Sequence, residues 1–244
     1  MAKQISIKEF TPELQSKIHK EVSSLKNSKR VTSKTELSEV AQGFLDTIVK
    51  GTWSQREDGK IDVKGSVVAK RNNMLAFFMG KEIFFGNVTG SFSCYKTNIT
   101  SLIGAPETMG GDFDCSHTKI TSLEGAPREV GGKFYCWYTN TLTSLIGAPE
   151  KVGEDFLCSN TKITSLEGAP EKVGGDFWCA KTNITSLKGA PKVVGGGFDC
   201  SQTKITSLEG APKEVGSYFD CKDTNITSLD GIGEVKGRIS SDIK

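Results

Sequence analysis

The sequence predicts a repeat solenoid with a parallel β-sheet of about nine strands, and three observations predict it. Cysteine recurs at 94, 115, 136, 158, 179, 200 and 221, in steps of 21, 21, 22, 21, 21 and 21. Phenylalanine stands two residues before each cysteine and threonine three residues after it. The string ITSLEGAP is repeated unchanged at 120–127, 163–170 and 205–212. A unit reads F-x-C-x-x-T-x-I-T-S-L-x-G-A-P-x-x-V-G-x-x. Each such coil can bury its apolar face only against its neighbours, which makes the array a stack.

Residues 1–52 are unlike the rest and predict an α-helical hairpin. Thr11-Pro12-Glu13 is a helix start, and Leu14, Ile18, Val22 and Leu25 follow on one face. Ser33-Lys34-Thr35-Glu36 is a capping box, ahead of Leu37, Val40, Ala41, Phe44, Leu45 and Ile48 at helical spacing. A hairpin this small is not stable alone. It is expected to cap the first coil, or to contact a partner or a second copy of the chain.

Residues 53–89 predict a degenerate N-terminal capping repeat. Val63-Lys64-Gly65-Ser66-Val67-Val68-Ala69 aligns with Val88-Thr89-Gly90-Ser91-Phe92-Ser93-Cys94, and Asn73-Met74 with Asn98-Ile99. Residues 90–230 form the array of about seven repeats. In 231–244, Val235-Lys236-Gly237-Arg238-Ile239-Ser240 starts a last, capping strand. Nine strands at ~4.8 Å spacing predict a stack roughly 40 Å long.

Within a unit, the period-2 spacing of Phe-x-Cys turns both side chains into the coil. Gly-Ala-Pro cannot continue a helix or supply full ladder donors, so it predicts an irregular convex return. Laid on the leucine-rich template, Phe and Cys take strand positions and Thr takes the Asn position. The Thr hydroxyl is expected to bond the backbone of the neighbouring coil.

These units resemble the short leucine-rich repeats encoded in tailed-phage genomes, which are similar to the bacterial-type repeats of secreted effectors. The stretches ITSLEGAPREVGGKFYC (120–136) and ITSLKGAPKVVGGGFDC (184–200) carry the resemblance, with the lead-in DGKIDVKGSVV at 58–68. It covers residues 58–244. It implies a leucine-rich-repeat arc and a phage-encoded protein.

Composition narrows the function. Thirty-one Lys+Arg against 29 Asp+Glu leave a net charge of +2, without the signature of a general nucleic-acid or anionic-membrane binder. Apolar runs such as Leu75–Met79 are far short of a bilayer span. The opening MAKQISIKEF lacks a secretory apolar stretch, so a cytoplasmic location is expected. Seven cysteines at least 21 residues apart suit neither paired zinc ligands nor a disulfide framework, and predict buried, reduced thiols. No metal or cofactor is expected. His19 and His117 have no sequential partner, and no phosphate loop or nucleophile elbow occurs, so no catalytic residues are assigned.

The informative positions are those the repeat leaves free. Between Phe and Cys stand Ser93, Asp114, Tyr135, Leu157, Trp178, Asp199 and Asp220. After Cys come Tyr95, Ser116, Trp137, Ser159, Ala180, Ser201 and Lys222. These columns predict a solvent-facing concave surface on which Tyr135, Trp137, Tyr138, Leu157 and Trp178 cluster in three consecutive coils, with Tyr95 nearby. Asp112, Asp114, Asp155, Asp176, Asp199 and Asp220 surround them. Clustered Tyr and Trp rimmed by polar groups predict a partner-binding face. The third coil carries one extra residue, in Thr139-Asn140-Thr141-Leu142, expected to bulge beside the cluster.

The expected function is a non-catalytic protein-binding module. With the phage resemblance, it becomes a factor that binds and blocks or redirects a host protein, for example a defence component. No direct nucleic-acid or membrane contact is expected. Two alternatives are a nucleic-acid mimic occupying a DNA- or RNA-binding protein, and a structural or assembly part of a virion.

Overall fold

The structure, a computed structural model, describes residues 36–243. The predicted helix over 11–25, His19, and Ser33 to Thr35 of the predicted capping box lie outside the described residues. Those described form a parallel β-solenoid of nine coils, led by a helix and a β-hairpin.

Helix α1 (Glu39–Ile48) starts at Ser38, whose Oγ accepts from the Ala41 N–H at 3.1 Å. Ser38 is therefore the cap of this helix. Leu37 is buried, and the Ser38 N–H donates to Glu82 Oε1 at 2.5 Å. The predicted apolar face, Val40, Ala41, Phe44, Leu45 and Ile48, is buried. Phe44 stacks on Phe78 at 5.1 Å, which seats α1 on helix α2 (Leu75–Phe78) of the first coil.

The chain leaves α1 directly into β1 (Val49–Gln55), which pairs antiparallel with β2 (Ile61–Val68). The boundary predicted at residue 52 therefore falls inside a strand. Gly51 faces Gly65 across this pair, where a Cβ on Gly51 would meet the Lys64 carbonyl oxygen at 2.0 Å, so only glycine allows the approach. Arg56 pairs with Asp62 at 2.7 Å, and both Arg56 and Lys60 reach Glu107, tying the hairpin to the second coil.

From β2 onward the register follows the sequence alignment, with Val63 opposite Val88, Val67 opposite Phe92 and Val68 opposite Ser93. The first ladder runs from β2 through β4 (Phe92–Ser93), β6 (Phe113–Asp114), β8 (Phe134–Tyr135) and β10 (Phe156–Leu157). It continues through β12 (Phe177–Trp178), β14 (Phe198–Asp199), β16 (Phe219–Asp220) and β18 (Ile239–Ser240).

A second parallel ladder, which the sequence did not suggest, follows Gly-Ala-Pro in six coils and Gly231-Ile232-Gly233 in the next. It also begins on β2 and takes β3 (Phe85–Val88), β5 (Thr108–Met109), β7 (Glu129–Val130) and β9 (Lys151–Val152). Then come β11 (Lys172–Val173), β13 (Val193–Val194), β15 (Glu214–Val215) and β17 (Glu234–Val235). The Gly-Ala-Pro segment itself is a turn.

The core lies between the ladders. The seven repeat phenylalanines are fully buried and stack ring on ring at 5.1 to 5.5 Å. All seven cysteines are free and buried, and the Cys94 thiol donates to the next coil's Asp114 carbonyl at 3.3 Å. Burial pushes these thiols well above their ordinary range, so they stay protonated.

The repeat threonines are buried, Thr224 only partly, but their bond is local. Thr97 Oγ1 donates to the Cys94 carbonyl three residues back at 2.8 Å, and Thr118, Thr161, Thr182, Thr203 and Thr224 repeat this. The residue before each threonine is left-handed, with φ between 51° and 57° from Lys96 to Asp223, and this tight turn swings the hydroxyl back over its own coil.

Candidate partner-binding face

The outward columns arise from strand alternation on the first ladder. Phe and Cys point in, so the residue between them stands on the opposite side, in register with its equivalents. The pairings run Ser93, Asp114, Tyr135, Leu157, Trp178, Asp199, Asp220 and Ser240 on successive strands. Stacking thus converts residues 21 or 22 apart in sequence into immediate neighbours.

The extra residue of the third coil leaves this register intact. Tyr138 keeps the left-handed φ, 51°, of its equivalents. The insertion is absorbed beyond the buried Thr139, where Asn140 and Thr141 are exposed and Leu142 takes the buried Ile position. Thr139 alone loses the short local bond, reaching the Cys115 and Trp137 carbonyls only at 3.5 and 3.4 Å.

Five aromatic rings form a continuous run over the coils of Cys94, Cys115 and Cys136. Tyr95 meets His117 edge-on at 5.3 Å, and His117 stacks on Tyr138 at 5.2 Å. Tyr138 meets Trp137 at 5.9 Å, and Trp137 meets Tyr135 at 6.1 Å. Tyr138 is 46 % exposed, and Tyr95, Tyr135, Trp137 and Trp178 are half-buried. His117 is held below the usual imidazole range by burial and by Lys96, so it sits neutral in the run.

Leu157 departs from its predicted exposure. It is 5 % exposed, because Tyr135 and Trp178 flank it on adjacent strands and roof a short aliphatic side chain. Ser159 and Ala180 are buried on the same face at 5 % and 8 %.

Beyond Leu157 the strip continues through a pair of rings two coils apart. Trp178 Nε1 donates to the Tyr218 hydroxyl at 2.8 Å. Gly197, in the coil between, makes this possible, since a Cβ there would lie 2.1 Å from Tyr218 Cε1. Burial, reinforced by Asp176, pushes the Tyr218 phenol up to about 12. Neither Tyr218 nor Gly197 was singled out from sequence, although they interrupt a column otherwise made of polar and charged residues.

The six aspartates have a structural duty first. Asp112, Asp155 and Asp176 each accept, through Oδ1, the backbone N–H of the equivalent residue in the next coil, at 2.9, 2.8 and 2.7 Å. Asp114, Asp199 and Asp220 each accept the N–H two residues on, at 3.0, 2.9 and 3.0 Å. Asp155 also pairs with Lys133 at 2.9 Å. Among the described residues, no lysine or arginine forms an ion pair with Asp176, Asp199 or Asp220. Burial raises the Asp114 carboxyl above the usual carboxylate range.

A separate groove of about 1260 Å³ runs along the second ladder across six coils, lined by Met109, Pro149, Lys151, Pro170, Lys172 and Val193 among others. No residue of the aromatic strip lines it. Among the described residues, no group of His, Cys, Asp and Glu could hold a metal ion, and no helix is long and apolar enough to cross a membrane. Comparison with family models, with curated proteins and with solved structures returned no match.

Proposed function

We propose that the protein is a non-catalytic binding module that takes a protein partner on the outward face of its first ladder. One observation carries this. Five aromatic rings, from Tyr95 to Tyr135, touch in sequence on a half-exposed face flanked by aspartates. Rigid aromatic side chains supply large contact area with few torsions to immobilise, and such clusters dominate the energetics of interfaces. Tyr135 stands on a strand and the other four rings on the tight turn that follows it, a turn whose left-handed residue recurs in every repeat, so the surface is preorganised.

The resemblance of the ITSLEGAP units to phage-encoded repeats supports a narrower role, in which the chain binds a host protein and blocks or redirects it, for example a defence component. Seven free cysteines support a reducing, cytoplasmic setting. The mechanism is occlusion, with the rings supplying affinity.

Tagged full-length protein, used as bait in host cells with mass spectrometry of what co-elutes, tests this. Trp137→Ala with Trp178→Ala should remove the co-eluting partner while leaving the melting temperature within a few degrees. Retention of the partner by a folded double variant would refute the assignment of this face.

A further inference from the structure

Resting on that protein-binding reading, the geometry points to one class of occupant: we propose that the strip binds a single extended basic segment, laid along the solenoid axis, with cationic side chains bracketing apolar ones. Shape argues for one chain. Every strand of the ladder after β2 is only two residues long and offers one outward residue, so the column from Asp114 to Asp199 is a single residue wide. From Asp114 to Asp199 it runs four strand steps, or ~19 Å, which an extended segment covers in about six residues.

Charge argues for cations. Fourteen positions immediately precede and follow the seven phenylalanines, and they carry six aspartates against one lysine, in a chain of net charge +2. That lysine, Lys133, is already held by Asp155. Asp199 and Asp220 stand directly opposite each other on adjacent strands, a repulsive placement that a cation between them relieves. Each uses one oxygen on the backbone, and the other bonds to nothing else among the described residues. A phosphate backbone is repelled by such a strip.

Position along the strip sets the pattern. Tyr135, Leu157 and Trp178 lie between the acidic ends at Asp114 and Asp199. In an extended segment, side chains i, i+2, i+4 and i+6 share a face at ~6.7 Å intervals. The occupant therefore has Lys or Arg at i and i+6, and apolar residues at i+2 and i+4. Its cations meet carboxylates, and its middle residues meet the rings.

Synthetic peptides test this against the full chain. One carries the core Lys-Ser-Leu-Ser-Leu-Ser-Lys, a second replaces both Lys by Glu, and a third replaces both Leu by Ser. Each is titrated while the indole emission is followed, with calorimetry as the second readout. The lysine peptide should bind at least roughly tenfold more tightly than the glutamate peptide, and its advantage should shrink several-fold between about 0.05 M and 0.3 M salt. Asp114→Asn with Asp199→Asn should remove most of that advantage without lowering the melting temperature, because Asn keeps the Oδ1 acceptor. Equal or tighter binding of the glutamate peptide, a salt-independent preference, or an unchanged preference in the Asp→Asn variant would each overturn the proposal. If peptides of either charge bind and Trp178→Ala abolishes both, the basic occupant falls and the protein-binding face stands. If none binds, the basic segment is refuted, and the face is then decided by the bait experiment.

Discussion

Two columns of side chains run along the first ladder one residue apart, and they obey opposite rules. The inward column is Phe in all seven repeats, each ring fully buried against the next. The outward column changes at nearly every step, from Ser93 through Asp114 and Tyr135 to Asp220. The backbone register is common to both, so the difference comes from what surrounds each side chain. An interior ring has fixed volume on every side and must match its neighbours, whereas an outward residue must satisfy only the water and the next coil. The lesson is that the sequence-variable column of a solenoid is where chemistry can be changed without disturbing the stack.

The comparison breaks hardest at the core. Phe156→Ala should cost about 3–5 kcal/mol, the range for emptying a large aromatic site, whereas Tyr135→Ala on the neighbouring outward position should cost under about 1 kcal/mol. Urea titration of the two variants measures both, and equal losses would mean that the outward ring is core.

A smaller effect sharpens the line between structure and function within the outward columns. Asp176→Ala strips the Gly197 N–H of its acceptor and should cost on the order of 1 kcal/mol, while Asp176→Asn should restore most of it. Thermal melts of the pair separate a carboxylate needed for its charge from one needed as an acceptor.

The smallest effect is in pH. Burial raises the Asp114 carboxyl above its unfolded value, so the folded state binds its proton more readily. Stability carried by that group should therefore fall as pH rises through the window between the unfolded and folded values. Asp114→Asn should remove this contribution to the slope, visible as a difference between the two proteins' unfolding midpoints across the mildly acidic range. A wild-type slope no different from the variant's would show the carboxyl to be well solvated.

What was legible and what was not divide by distance along the chain. The period, the inward pair and the outward alternation are all local or repeated features, so Phe-x-Cys announced its own orientation. The second ladder was hidden, because a two-residue strand such as Glu129–Val130 is too short to show any alternation. Strand β1 was hidden too, since Val49-Lys50-Gly51-Thr52-Trp53 has no regular apolar pattern and is held by its pairing with β2.

By itself the sequence determined the solenoid, its coil number and the inward Phe-Cys pair, since a 21-residue period with two inward residues per strand admits one way to bury them. Only the stacked structure decided the details of the face. Leu157 is roofed by residues about 21 positions away on either side. Trp178 meets Tyr218 across 40 residues, through a gap left by Gly197. Three aspartates hold N–H groups of the following coil. The physical reason is the same in each case: these contacts form between coils, at spacings set by ladder register and side-chain length, and neither quantity is written in any local stretch of chain.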